Sequence, residues 1–252
     1  YDVIIIGGGI SGLFTAYKLS KTGLNILIIE KDPDFGGRVH TVERGGLKYE
    51  CGAARFHDSH TKLLTLIDEL KLTEKMIPLP KEIKYVLRGY KKNFPYKTDN
   101  ELSLSDLLKN ALKKSEDYPS KTLTNLTFLQ YLTQVYDFET ASFMKDAFGY
   151  DSEFVYLNAD AAIEMFKEDL FAEGKYHVLD GGLSQIIKKL EGKLNKCPNV
   201  EIIKGFKVKE IFDDHILIGE DEYYFKNLVC AVPQKALKQF KIFKDHGQID
   251  SC

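Results

Sequence analysis

Apolar residues open the chain as two short unbroken runs, Val3–Ile6 and residues 25–29, both rich in β-branched side chains. Runs this short and continuous predict buried strands, because a strand covered on both faces loses the in–out alternation of a half-exposed one. A third strand is expected at Leu47–Glu50. From Thr61 the period lengthens: Leu63, Leu64, Ile67 and Leu70 recur at helical spacing and predict an amphipathic helix. Residues 83–94 alternate as a small hairpin, with Arg88-Gly89-Tyr90 at its turn and Pro78, Pro80 and Pro95 at its edges. Ser103 to Asp106 reads as a helix start. The spacing then stays helical to Phe171, through Leu126, Leu129, Leu132, Val135 and residues 161–166. Phe128, Tyr131, Phe138, Phe143 and Phe148 are assigned to a core, and Lys109, Lys113, Lys114 and Glu116 to a solvated face. Short apolar runs return from residue 176, interrupted by a helix at about 183–194. The expected fold class is therefore α/β: a strand–helix–strand unit, a mainly helical insertion, and a return that completes the same sheet. The expected boundaries are 1–50, 51–175 and 176–236, with 237–252 as a tail.

What joins the first two strands carries chemistry. Gly7-x-Gly9-x-x-Gly12 follows the first, and the second ends on the acid Glu30. Gly7 permits a tight turn, Gly9 lets backbone approach a pyrophosphate, and Gly12 lets the following helix pack close to the strand. The pyrophosphate sits on the unsatisfied N–H groups of the helix start. Glu30 accepts hydrogen bonds from a ribose hydroxyl, and its charge disfavours a 2′-phosphate. Strand, glycines, helix and acid in this order form a dinucleotide-binding unit.

Directly after the acid, Lys31-Asp32-Pro33-Asp34-Phe35-Gly36-Gly37-Arg38 presents an arginine suited to phosphate oxygens from a double-glycine turn. With Gly52-Ala53-Ala54-Arg55 downstream, the chain resembles the flavin-containing amine oxidase superfamily, in its monoamine oxidase and L-amino-acid oxidase-like branches. Residues 176–187, 200–211 and 227–233 resemble later segments of that family's FAD domain, and 148–153 and 158–162 its helical domain. The resemblance implies a Rossmann-like FAD-binding domain of the GR2 type interrupted by a helical substrate domain. It also implies that the C-terminal part of the family fold, with the family's flavin-side lysine, lies outside these residues. Catalytic residues are accordingly unassigned. In the implied site Gly7, Gly9, Ile10, Ser11, Gly12, Glu30, Lys31, Gly37, Arg38 and Val208 hold FAD; Gly52, Ala53, Ala54 and Arg55 line the flavin; and Arg55 anchors a substrate carboxylate. The implied reaction removes hydride from an amine or L-amino acid carbon, gives an imine, and returns electrons to oxygen as hydrogen peroxide. His57 and His60 follow the flavin turn without an assigned role.

Composition narrows the alternatives. The 252 residues are 44% hydrophobic and 29% charged, as expected of a globular protein. The net charge of −2 offers nucleic acid no general attraction, and no apolar run reaches membrane-span length. Cys51, Cys197, Cys230 and Cys252 are scattered, so neither a zinc site nor a disulfide framework is expected, and Cys51 and Cys230 are assigned as buried thiols. The compartment is left open. UDP-galactopyranose mutase-like and protoporphyrinogen oxidase-like flavoenzymes share the scaffold. The Gly-Ala-x-x-Phe-His turn at 52–57 fits a mutase, whereas Arg38 stands where a mutase has Asn. A structural protein without turnover is the remaining reading. An incomplete sheet would expose an edge, which calls for a further segment, a second copy or a partner chain.

Overall fold

A computed structural model describes residues 1–79, 84–87, 90–93, 102–170 and 174–244. Two compact units emerge, one of Tyr1–Pro78 with Lys175–Cys252 and one of Leu79–Gly174. The first unit starts with β1 (Val3–Ile6), α1 (Ile10–Leu19) and β2 (Ile26–Glu30). Next come a hairpin of β3 (Thr41–Arg44) and β4 (Leu47–Glu50), then β5 (Phe56–His57), α2 (Thr61–Glu69) and β6 (Met76–Pro78). The second unit holds the paired strands β7 (Lys84–Leu87) and β8 (Tyr90–Asn93). Its helices are α3 (Leu104–Lys114), α4 (Ser120–Leu123), α5 (Phe128–Val135), α6 (Phe138–Phe148) and α7 (Ala159–Met165). The chain returns to the first unit through β9 (Tyr176–Leu179), α8 (Ser184–Leu194) and β10 (Val200–Lys204). It ends with β11 (Glu210–Ile211), β12 (His215–Ile218), β13 (Asp221–Tyr224), β14 (Asn227–Cys230), α9 (Gln234–Leu237) and α10 (Lys241–Lys244).

The two opening apolar runs form the centre of a parallel sheet ordered β10-β2-β1-β14. Their residues divide by parity. Val3, Ile5, Ile26 and Ile28 pack with Leu13 and Ala16 of α1 and Ile186, Ile187 and Leu190 of α8. Ile4, Ile6, Leu27 and Ile29 pack with Ile211, Ile216 and Ile218 from the β11-β12-β13 layer and with Val208 and Phe240. Covering both faces explains the unbroken apolar runs. Burying such a side chain contributes about 1.5–3 kcal/mol, so this double layer sets the stability of the unit.

The expected boundary at residue 51 differs from the compact division. Residues 51–78 stay with the glycine unit because β5 and β6 pair with β9, and Leu66, Ile67 and Leu70 of the α2 region join its core. The second unit has its own core, in which Phe128, Tyr131, Phe154 and Phe166 are fully buried. Tyr131 there donates a 2.6 Å hydrogen bond to the Ala111 carbonyl. Ser103 and Asp106 cap α3 reciprocally, as the helix-start pattern predicted. Two assignments are corrected. Phe138 is 74% exposed, because as the first residue of α6 it precedes the buried stripe of Ala141 and Met144. Cys51 is exposed, because it leaves a hairpin whose strands face solvent. The Arg88-Gly89 turn, Pro80, Pro95, Phe171 and Cys252 lie outside the described residues.

Candidate dinucleotide site

A cleft of about 660 Å³ opens at the carboxyl ends of β1, β2 and β14, where Ile6, Glu30 and Cys230 reach its wall. The chain crosses from β1 to β2 on one side and later to β14 on the other. Such a reversal leaves a crevice outside the strand ends, where open α/β sheets bind ligands. Of the residues expected to hold a cofactor, Gly7, Gly9, Ile10, Ser11, Glu30, Lys31, Gly37, Arg38 and Val208 line this one cleft.

Gly12 does not line it and acts behind it. A Cβ there would sit 1.9 Å from the Gly7 carbonyl oxygen, so only glycine lets α1 approach the turn. Gly9 differs, since an added Cβ would find no protein atom closer than 4.0 Å and would enter the cleft. Gly9 is also the N-cap of α1; no side chain caps this end and no acid occupies its first turn. The first amides of α1 therefore face the cleft without a protein carboxylate or hydroxyl on them, a setting for an anion.

Glu30 is oriented in advance. Its Oε2 accepts the Gly8 N–H at 2.7 Å and its Oε1 accepts the Asp32 N–H at 3.0 Å. A carboxylate offers about four acceptor sites, so two backbone bonds leave capacity for hydroxyl donors. Burial pushes the Cys230 thiol pKa up at the cleft wall, favouring its neutral form there.

Several participants escaped the motif reading. A Cβ on Gly8 would meet the Phe35 ring at 2.0 Å, so Gly8 is a packing glycine. The Gly36 N–H donates to the Gly8 carbonyl at 3.0 Å, and Gly36 has a φ of 135°, tying the arginine turn to the glycine loop. Doubled glycines at 36–37 were the available signal. Phe206, Lys207, Ala231, Val232 and Pro233, within the 200–211 and 227–233 segments of the resemblance, also line the cleft, as do Gln239 and Phe240, which carried no local signature.

The segment 52–55 does not line the cleft but is anchored beside it. The Ala53 N–H donates to the Arg38 carbonyl at 2.9 Å, and a Cβ on Gly52 would lie 2.0 Å from that oxygen. Arg55 is exposed, and its guanidinium carbon lies 4.6 Å from the centroid of the Tyr176 ring. The same ring is 4.8 Å from the buried imidazole of His57, placing Arg55, Tyr176 and His57 in one patch. His60 meets the His57 ring edge-on. No group of three or more metal-ligating side chains occurs among the described residues, and none of their helices is long and apolar enough to cross a membrane.

The family model described as flavin containing amine oxidoreductase matches residues 10–248. Protoporphyrinogen oxidase 2 of Arabidopsis thaliana is 36% identical over 88 residues, which is 34% of this chain and 17% of that protein. Flavin-containing amine oxidase B of Cavia porcellus is 35% identical over 98 residues, 38% of this chain and 18% of that protein. A putrescine oxidase bound to putrescine superposes with a TM-score of 0.72 at 21% identity, over 95% of this chain and 60% of its own. At that identity the superposition establishes the fold, and the chain spans only part of each relative.

Proposed function

The chain belongs to the flavin-containing amine oxidoreductase family, and on that premise we propose that its cleft holds the ADP half of FAD for oxidation of an amine or L-amino acid. One observation carries the reading: an α1 N-terminus free of side-chain caps shares a cleft with Arg38 and a pre-oriented Glu30. The Ile10 and Ser11 amides and the Arg38 guanidinium bind the pyrophosphate. Glu30 accepts the ribose hydroxyls, and Val208 borders the base. Gly52, Ala53 and Ala54 pass beside the isoalloxazine ring, and Lys31 and Gly37 complete the cleft rim.

When bound, FAD supplies a hydride acceptor that passes electrons on to oxygen, yielding hydrogen peroxide. The protein's part is to bind and orient. Arg55 anchors a carboxylate with its planar fork, and the Tyr176 ring holds that fork in place. A substrate with both amine and carboxylate is favoured for that reason.

The test is peroxide release from the purified chain against a panel of amines and L-amino acids. Turnover of amino acids that Arg55→Ala weakens through KM supports the reading; equal KM in the variant removes the carboxylate role. The match to protoporphyrinogen oxidase 2 supports a second reading, oxidation of a protoporphyrinogen, which the same peroxide assay with that substrate separates.

A further inference from the structure

The glycine motif explains one end of the cleft and leaves the other unexplained. Past Glu30 the wall consists of Phe206, Lys207 and Val208, faced by Gln239 and Phe240. This loop is held at several points. The Phe206 N–H donates to the Glu30 carbonyl at 3.2 Å, and the Gly205 N–H to the Asp32 carbonyl at 3.0 Å. Lys207 Nζ reaches Gln239 Oε1 at 3.1 Å. Despite this fixed backbone, Phe206 is 57% exposed. A lone exposed phenylalanine is ordinary; one fixed beside the ribose-binding acid and lining a ligand-sized cleft is in a different position.

Order along the cleft sets what this ring can meet. A pyrophosphate on α1 and a ribose on Glu30 direct the attached base onward, to the loop whose backbone is bonded to Glu30. We propose that Phe206 is the base-stacking residue of this site, offering its ring to the adenine of FAD, with the Lys207–Gln239 contact holding its loop in register. The proposal rests on the cofactor reading above. Stacking suits any base, since it uses the π-face and no hydrogen-bonding edge. The acid at Glu30 and the amides of α1 then select the dinucleotide, while Phe206 adds affinity at its adenine end.

The chain has no tryptophan, so Phe206→Trp introduces a single indole at the position in question. ADP titrated into F206W is expected to quench that indole saturably. Phe206→Ala should bind both ADP and FAD roughly ten- to a hundredfold more weakly than wild type, with an unchanged urea midpoint. Unchanged affinity in F206A, or indole emission indifferent to saturating ADP, overturns the stacking role. If F206A fails to fold, the F206W titration decides alone. Wild type that binds neither FAD nor ADP overturns the cofactor reading together with the proposal. Wild type that binds both, alongside an F206A of equal affinity, overturns only the proposal.

Discussion

Replacing Gly12 by Ala sets two effects of opposite sign against each other. Alanine in a helix interior is favoured over glycine by about 1 kcal/mol, so propensity alone predicts a more stable protein. At Gly12, however, the new Cβ falls 1.9 Å from the Gly7 carbonyl oxygen, 3.2 Å from its carbon and 3.3 Å from the Ala231 Cβ. Ordinary contact begins near 3.4 Å, so backbone must move by more than an ångström, and no rotamer change can relieve it. Overpacking typically costs about 1–3 kcal/mol, and a backbone clash belongs at the upper end. The net expectation is a loss of about 2 kcal/mol, with weaker FAD binding because the α1 amides shift away from the cleft. Gly192, inside α8, supplies the control. Nothing lies within 4 Å of a Cβ placed there, so Gly192→Ala should stabilise by about 0.5–1 kcal/mol. Urea denaturation of both variants, followed by the far-UV signal, reads the two signs. A G12A protein at least as stable as wild type would show that close packing of α1 on the turn does not shape this site.

Three further outcomes are expected. Glu30→Gln sets an amide donor against the N–H of Gly8 or Asp32; it should lose about 1–3 kcal/mol in urea denaturation and bind FAD more weakly, and equal values in both assays would dismiss the pre-oriented acid. Asp58 is held below the usual carboxylate range by the Lys175 N–H and then by His177, Asp2 by Lys226 and then by the Asn25 N–H, and Asp137 by the Thr140 N–H. With folded pKa values below the unfolded ones, their contribution is complete above about pH 5 and is lost as pH falls through the unfolded and then the folded values. The urea midpoint should hold steady from pH 7 to 5 and then drop, less steeply in Asp58→Asn; a midpoint indifferent to acid contradicts this. Iodoacetamide should label exposed Cys51 early and Cys230 slowly, its thiol being held neutral by burial, and FAD should slow Cys230 further. Peptide mapping that finds Cys230 labelled at one rate with and without FAD would move the ligand elsewhere.

Much of the first unit was legible because its rules are local. Continuous β-branched runs gave β1 and β2, glycine spacing gave the turn and the start of α1, and the acid at the end of β2 needed only its position. The double glycine before Arg38 foretold a turn, though not that Gly36 would bond Gly8. What stayed hidden depends on strand order. Only the parallel register of β10 with β2 and of β14 with β1 brings Phe206 and Ala231 to the same cleft as Gly9. Cys51 and Phe138 were misassigned for a related reason: apolar neighbours in sequence do not reveal that a hairpin stands in solvent or that a residue begins a helix before its buried stripe. The 52–55 segment was recognisable, yet its tether to the Arg38 backbone is a contact between residues distant in sequence.

Whether the cleft is a cofactor site can be decided by titrating the purified chain with FAD in a calorimeter and repeating the titration with Arg38→Ala. Saturable binding of one FAD per chain, competed by ADP and weakened by roughly tenfold or more in the variant, is the expected result. A wild-type chain giving no saturable heat, or an Arg38→Ala chain binding FAD as tightly as wild type, would contradict the assignment of this cleft to the dinucleotide.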